Sequence, residues 1–138
     1  MSPSPSPPEF FVDRSLGRHR VADALRAAGW ILRTHAEVFA DRDEAVPDVE
    51  WLEYCGREGL VVLTKDRKLR YRRREIAAIR RHRVRAFVLT RGNLRAAEQA
   101  RRFIGNAERI QAACEAPGPF VYAVHERRIE RLYPARSV

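Results

Sequence analysis

The sequence has few cysteines and no long apolar run, and both absences exclude classes of protein. Cys55 and Cys114 are its two cysteines, and neither belongs to a pair with the spacing of a zinc site or a thiol redox motif. Cys55 lies within an apolar helical pattern, so we expect a buried side chain there rather than a nucleophile. No stretch reaches the roughly 18 apolar residues of a membrane span, and the first residues lack the basic-then-apolar order of a secretory signal. We therefore expect a cytoplasmic protein with no membrane association.

Catalytic motifs of several enzyme classes are also absent. No serine occupies the context of a hydrolase nucleophile, and no glycine-rich phosphate-binding loop is present. The histidines are scattered, and no two of them have the spacing of metal ligands. The sequence thus gives no support for acyl transfer, nucleotide hydrolysis or a histidine-based metal site.

Positive charge is concentrated in one part of the chain. Residues 65–102 contain fifteen Lys or Arg residues and three acids, whereas all the other residues contain twelve basic and fifteen acidic side chains. The net charge of +9 therefore belongs to one segment. Arg-rich helix faces are often simply solvated, but a guanidinium also matches phosphate geometry, and its binding releases counterions. This charge distribution favours a nucleic acid as the partner of the segment.

The periodicity of the apolar residues predicts an α/β fold. Residues 1–8 alternate Ser with Pro and predict a disordered tail, and residues 9–138 have the length of a single domain. Short apolar runs alternate with amphipathic helical patterns, which is typical of a mostly parallel central sheet. The predicted strands cover residues 10–12, 30–33, 60–63, 84–89, 120–124 and 129–133, the last two forming a hairpin or paired strands. The predicted helices begin near Ser15, Asp48, Tyr71 and Asn93, and the last continues as one long pattern until Pro117.

Two aspartates directly follow predicted buried strands. Asp13 ends the run Phe-Phe-Val-Asp, and Asp66 ends the run Leu-Val-Val-Leu-Thr-Lys-Asp. Because ligands of such sheets gather beyond the carboxyl ends of the strands, we expect both carboxylates at one edge, although Asp13 could instead cap a nearby helix. Asp48 begins a helical pattern after Pro47, where it could either cap that helix or join the other two acids. Thr64 is placed to donate a hydrogen bond to one of these carboxylates.

Three aspartates at one edge would suit a hard divalent cation. Mg²⁺ and Mn²⁺ prefer oxygen ligands, and Mg²⁺ takes only a few carboxylates from a protein. Carboxylates held close together repel each other unless a cation or a proton intervenes. Such an ion can activate a water and neutralise the charge that develops on a phosphodiester. Asp13 and Asp66 are therefore predicted to be catalytic, metal-binding residues that act on a phosphodiester, with Asp48 as the third candidate.

The order and context of these acids resemble the PIN-domain nucleases, particularly the VapC-type toxins. The matching segments are Phe-Phe-Val-Asp at Asp13, Pro-Asp-Val-Glu-Trp-Leu at Asp48, and Gly-Leu-Val-Val-Leu-Thr-Lys-Asp at Asp66. The resemblance covers most of the chain from Phe10 onward, and each aspartate matches a metal-site acid of the family. It implies a PIN-like three-layer α/β/α domain and a magnesium- or manganese-dependent endoribonuclease. Such proteins are commonly the toxin of a toxin–antitoxin pair, often dimeric, with an antitoxin protein that blocks the site.

One position departs from the commonest pattern of this family. Lys68 stands where a fourth acid often follows the third, and the next carboxylate along the chain is Glu75. Additional acids that could complete the site are Glu50, Glu53 and Asp43. The departure leaves open a catalytically weak or inactive PIN-like module that binds a nucleic acid or a partner protein. A phospho-receiver-like signalling domain, which also gathers acids at strand ends, is a third alternative.

The residues predicted to bind the RNA backbone follow the third aspartate closely, and they are Arg67, Arg70, Arg72, Arg73 and Arg74. Phosphate contacts do not distinguish RNA from DNA, so this prediction leaves the sugar open. The two tryptophans could stack on bases, but both lie in apolar patterns and we expect them in the core.

Overall fold

A computed structural model describes residues 7–42, 45–69 and 71–135 of the chain. These residues contain the strands Glu9–Val12 (β1), Ile31–Thr34 (β2), Val61–Thr64 (β3), Arg85–Leu89 (β4), Phe120–Val124 (β5) and Ile129–Tyr133 (β6). They also contain a short 3₁₀ helix at Arg14–Leu16 and the α-helices Arg20–Ala27 (α1), His35–Val38 (α2), Asp48–Glu58 (α3), Arg73–His82 (α4), Ala96–Gly105 (α5) and Ala107–Ala113 (α6). None of the helices in these ranges is long and apolar enough to cross a bilayer. Most of the predicted tail lies outside the described residues.

The described strands form one sheet in the order β2-β1-β3-β4-β5-β6. The first five strands run parallel to their neighbours, and β6 pairs antiparallel with β5. Parallel neighbours need crossover connections, and the amphipathic helices of this chain supply them while covering the sheet. The predicted mostly parallel sheet and the predicted pairing of the last two strands are both confirmed.

Apolar side chains fill a core on each side of the sheet. In β1, Phe10 and Val12 face one core and Phe11 faces the other, as the two-residue period of a strand requires. Helices α1, α5 and α6 cover the first core, and α3 and α4 cover the second. The second core contains Trp51 and Cys55, both fully buried as predicted. Helix, sheet and helix layers result, which confirms the three-layer α/β/α prediction.

Two predicted helices differ from the observed ones. The pattern that begins at Asn93 forms two helices, α5 and α6, separated by the buried Asn106. The side-chain amide of Asn106 donates to the carbonyl oxygens of Arg102 at 2.8 Å and His125 at 2.9 Å, so it ties the helix junction to the end of β5. Ser15 lies in the 3₁₀ helix, and α1 begins only after it. In both places the local apolar pattern predicted one continuous helix where the structure has a break.

Candidate active site

Asp13 is buried at the carboxyl end of β1, where two hydroxyl groups bind its side chain. The backbone N–H of Asp13 donates to the carbonyl oxygen of Leu63 at 3.0 Å, so the residue is fixed against β3. Only 6% of the residue is exposed. Its Oδ2 accepts hydrogen bonds of 2.8 Å from Ser15 Oγ and from Thr64 Oγ1. One carboxylate oxygen is therefore held firmly by the protein.

The same two hydroxyl groups also organise the loop that follows β3. The backbone N–H of Lys65 donates to Ser15 Oγ at 3.1 Å, and the backbone N–H of Asp66 donates to Thr64 Oγ1 at 3.0 Å. Each hydroxyl thus donates its hydrogen to Asp13 and accepts one from the loop. The sequence pattern predicted Thr64 as a support for a carboxylate but indicated a helix cap at Ser15. A hydroxyl two residues after a strand-end aspartate was the available signal for Ser15.

Burial raises the pKa of Asp13 above its ordinary value, and the hydrogen bonds from Ser15 and Thr64 oppose this effect only in part. The negative charge of Asp48 raises the pKa of Asp13 as well. The two carboxylates therefore interact electrostatically. Burial and the neighbouring negative charge both favour the neutral form of Asp13, so a cation bound nearby would favour its charged form.

Asp48 is the first residue of α3, and Pro47 precedes it as the N-cap. Its Oδ1 accepts a hydrogen bond of 2.9 Å from Trp51 Nε1, one turn further along the helix. The predicted capping role is therefore wrong, because the carboxylate binds the buried indole N–H and the cap position belongs to Pro47. The other oxygen, Oδ2, lies 3.5 Å from Arg72 Nη1. Asp48 is thus oriented by one neutral donor and one cation.

Asp66 lies in the loop after β3 and contacts the same arginine. Its Oδ1 accepts a hydrogen bond of 3.1 Å from the backbone N–H of Lys68, and its Oδ2 lies 2.7 Å from Arg72 Nη1. A single guanidinium nitrogen therefore contacts both Asp66 and Asp48. The sequence placed Arg72 among the RNA-binding residues and gave no indication of its contact with the acids.

The three predicted aspartates lie at the same edge of the sheet without forming a closed ligand set. Asp13 and Asp48 interact electrostatically, whereas Asp48 and Asp66 share Arg72. Across residues 7–42, 45–69 and 71–135, no three His, Cys, Asp or Glu side chains are grouped so that they could hold a metal ion. Asp48 therefore links the other two aspartates: its charge acts on Asp13, and it shares the guanidinium of Arg72 with Asp66.

The additional acids predicted from the sequence have other surroundings. Both oxygens of Glu50 bind the guanidinium of Arg42, at 2.8 and 2.9 Å. Glu53 is exposed and lines a surface cavity between α3 and α4 together with Arg74. Asp43 lies outside the described residues. The fold therefore directs both described glutamates toward groups other than the three aspartates.

The predicted RNA-binding arginines are distributed around this edge. Arg67 Nη1 donates to the carbonyl oxygen of Thr90 at 3.0 Å, and the side chain remains exposed. Arg73 and Arg74 are exposed in the first turn of α4. Arg70 lies outside the described residues. The described members of the set therefore present guanidinium groups to solvent next to the acidic cluster, except that Arg72 also contacts the acids.

A surface groove opens beside the loop that carries Asp66. We call it the Tyr71 groove; it has a volume of about 420 Å³ and is lined by residues that include Arg67, Lys68, Tyr71, His125, Glu130 and Leu132. The tyrosine is 68% exposed. His125 Nε2 lies 3.0 Å from Glu130 Oε1, which places a polar pair against the apolar lining. The groove could not be predicted from the sequence because its walls come from distant strands.

The chain matches the family described as a PIN-like domain over residues 8–91, which is more than half of its length and includes all three aspartates. The chain belongs to the PIN-like domain family. A relative from Mycobacterium tuberculosis (strain ATCC 25618 / H37Rv), named "Putative ribonuclease VapC45", is 33% identical over 124 residues, covering 89% of this chain and 90% of the relative. No solved structure matches the chain significantly. The resemblance to VapC-type PIN proteins inferred from the sequence is confirmed.

The PIN-like domain therefore places three kinds of group at one edge of its sheet. Carboxylates lie at the end of β1, at the start of α3 and in the loop after β3. Hydroxyl groups bind the first of them, and the guanidinium of Arg72 contacts the other two. Carboxylate oxygens are the ligand type that hard cations prefer, and guanidinium groups are the donor type that matches phosphates.

Proposed function

We propose that this chain is a metal-dependent endoribonuclease, acting as the toxin component of a toxin–antitoxin pair. One observation supports the proposal: Asp13 interacts electrostatically with Asp48, and Asp48 shares Arg72 with Asp66, at the carboxyl end of the parallel sheet beside the basic segment. The chain is also one-third identical to a relative whose name describes a ribonuclease. We assign the three aspartates as the metal-binding and catalytic residues.

The side chains at this edge fit a hard divalent cation such as Mg²⁺ or Mn²⁺. The potential ligands are carboxylate oxygens, and two of the three carboxylates already contact one cationic group. The third carboxylate, Asp13, is buried beside the charge of Asp48, and a cation there would offset both effects. When bound, such an ion would supply an activated water and neutralise charge on the phosphodiester.

The side chains around the acids have positioning roles in this proposal. Ser15 and Thr64 hold one oxygen of Asp13 and leave its other oxygen free of their contacts, since both bind Oδ2. Trp51 holds Oδ1 of Asp48. Second contacts of this kind orient ligand carboxylates and fix the geometry of a metal site.

The basic segment and the Tyr71 groove would hold the RNA. Arg67 and Lys68 line the groove next to Asp66, and Arg73 and Arg74 extend the positive surface onto α4. We assign the phosphate contacts to these residues, to Arg72 and to Arg70, the last from the sequence alone. The exposed ring of Tyr71 offers a stacking surface for a base.

The partners follow from the same proposal. As a VapC-type PIN protein, the chain would act in the cytoplasm, form a homodimer and bind a cognate antitoxin that covers the acidic edge. The positive surface beside that edge would favour acidic side chains in the antitoxin segment that covers it.

Cleavage of a mixed RNA pool tests the proposed activity. The wild type, Asp13→Asn, Asp66→Asn and the control Asp23→Asn, an exposed aspartate on α1, are each incubated with Mg²⁺, Mn²⁺ or EDTA. We expect the wild type and the control to cleave with metal and not with EDTA, and the other two variants to lose cleavage. A matched DNA pool shows whether the sugar is recognised.

Two results would contradict the proposal. Equal cleavage by the wild type, Asp13→Asn and Asp66→Asn would remove these aspartates from the site. RNA binding by the wild type without cleavage under any metal condition would identify the inactive binding module instead.

A further inference from the structure

Arg72 is the cationic partner of two of the proposed metal ligands. Its Nη1 lies 2.7 Å from Asp66 Oδ2 and 3.5 Å from Asp48 Oδ2. The Arg72 side chain is 43% exposed, whereas those of Asp66 and Asp48 are 25% and 34% exposed. The guanidinium is therefore the most exposed of the three groups, and it already occupies contacts that an ion would need at both acids.

A divalent ion and this guanidinium need the same oxygen atoms. Metal coordination requires carboxylate oxygens at about 2.0–2.6 Å, and a second positive charge at the distances of the Arg72 contacts would be strongly repelled. The two cations are therefore mutually exclusive at Asp66 Oδ2 and Asp48 Oδ2. Any stabilisation that the arginine gives to the metal-free site must be lost when the ion binds.

The backbone around Arg72 allows the side chain to leave. Arg72 precedes the first residue of α4, and its side chain makes no capping hydrogen bond to that helix. Its backbone N–H donates to the carbonyl oxygen of Lys68 at 3.2 Å, and its own carbonyl oxygen accepts from Ile76 N–H at 2.9 Å. The main chain is thus held independently of the guanidinium, which can move away without unwinding α4.

We propose that Arg72 is an internal counter-cation that occupies the acidic site in the metal-free protein and lowers its affinity for a divalent ion. This inference rests on the proposed metal-dependent function. Since the coupling between two exclusive cations is reciprocal, removing one strengthens binding of the other. An arginine that only supported the geometry of the acids would act in the opposite direction, because its loss would weaken metal binding.

Calorimetric titration with Mn²⁺ alone tests this role in the full chain. The variants are Arg72→Ala, Arg72→Gln, which keeps a long polar side chain without charge, and Arg57→Ala as the control, at the end of α3 opposite Asp48. We expect Arg72→Ala and Arg72→Gln to bind Mn²⁺ about fivefold tighter than the wild type or more. Arg57→Ala should bind as the wild type does, and Asp66→Asn should bind more weakly.

Thermal unfolding gives a second readout that does not depend on cleavage. Without metal, Arg72→Ala and Arg72→Gln should unfold at a lower temperature than the wild type, because Asp48 and Asp66 lose the cation between them. Addition of Mn²⁺ should raise the unfolding temperature of both variants by more than it raises that of the wild type.

The two proposals fail in different ways. Equal or weaker Mn²⁺ binding by both Arg72 variants, with normal binding by the wild type, would overturn the counter-cation role and leave the metal-dependent function intact. Failure of the wild type to bind Mn²⁺ would contradict the metal-dependent function if the Arg72 variants also failed to bind. Binding by the Arg72 variants alone would be the extreme form of the expected result.

Discussion

At the scale of single residues, Asp13 combines a buried position with a charge that the fold does not fully compensate. Ser15 and Thr64 donate hydrogen bonds to it, but burial still keeps the pKa of Asp13 above its ordinary value. The ionised form therefore costs folding free energy. Functional sites often retain such groups at the expense of stability. A substitution that removes the charge should therefore change the free energy of unfolding.

Replacing Asp13 by asparagine should stabilise the metal-free protein. Asp13→Asn keeps an oxygen that accepts from Ser15 and Thr64 but removes the buried charge, so we expect the free energy of unfolding near pH 7 to rise. Because the pKa of Asp13 is raised in the folded state, its buried charge destabilises the wild type only at a pH where the unfolded chain is ionised. This destabilisation is absent below the ordinary pKa of 3.8 and complete above the folded-state pKa. The stability difference should therefore grow from pH 4 to pH 7 in urea unfolding.

Added Mn²⁺ provides a control for the comparison of the wild type with Asp13→Asn. Mn²⁺ should stabilise the wild type and have a much smaller effect on Asp13→Asn, which lacks the proposed ligand. A variant that is less stable than the wild type at neutral pH would show that the Asp13 charge is compensated in the fold, contrary to the argument from burial.

At the scale of elements, the contact between α3 and α4 positions both Asp48 and Arg72. Gly56 of α3 lies against the backbone of His82 at the end of α4, where an added Cβ would overlap the His82 carbonyl oxygen. The two helices can approach this closely only because the residue has no side chain. The separation of the helices thus depends on one glycine far from the acids.

Gly56→Ala should lower the free energy of unfolding by about 1–3 kcal/mol, because backbone must move to accommodate the methyl group. Gly105→Ala is the matched control, since Gly105 also lies in the last turn of a helix but has open space around its Cβ position. That control should gain about 0.5–1 kcal/mol from the better helix propensity of alanine. Chemical denaturation of the wild type and the two variants measures these differences. Equal stability of Gly56→Ala and the wild type would refute the close contact between α3 and α4.

The loop after β3 and the β5–β6 pair together form the Tyr71 groove. If a base stacks there, Tyr71→Ala should weaken binding of a short RNA by about 1–3 kcal/mol, and Tyr71→Phe should retain most of the affinity. Fluorescence anisotropy with a labelled oligonucleotide in EDTA measures binding without metal-dependent cleavage. Unchanged affinity of Tyr71→Ala would place the RNA on another surface.

At the scale of the whole molecule, the charge is asymmetric, and this asymmetry predicts the salt dependence of RNA binding. Arg73→Ala combined with Arg74→Ala should reduce the slope of log affinity against log salt by about 0.7 for each phosphate that the variant no longer neutralises. Arg57→Ala, at the far end of α3 and outside the basic segment, should leave the slope unchanged. A slope that the double substitution does not alter would indicate that this face of α4 binds something other than RNA, such as the antitoxin.

Local sequence patterns were enough to predict the sheet and the location of the acidic edge. Apolar runs can be read locally, and parallel strands necessarily bring their carboxyl ends together, so Asp13 and Asp66 could be placed from the positions of β1 and β3. The strand boundaries were predicted within about one residue for the same reason. The division of the long helix at Asn106 was not predicted, because the hydrogen bond from Asn106 to the carbonyl oxygen of His125 joins segments that are distant in the sequence.

The surroundings of the three aspartates, by contrast, depend on tertiary packing. Thr64 donates to a carboxylate 51 positions away, Trp51 turns Asp48 away from a capping role, and Arg72 lies between two acids instead of facing solvent alone. Side-chain direction and long-range proximity depend on how the loops and helices pack, and these are not encoded in local periodicity. The sequence therefore identified the acids, whereas packing determined which neutral donors and which cation hold them.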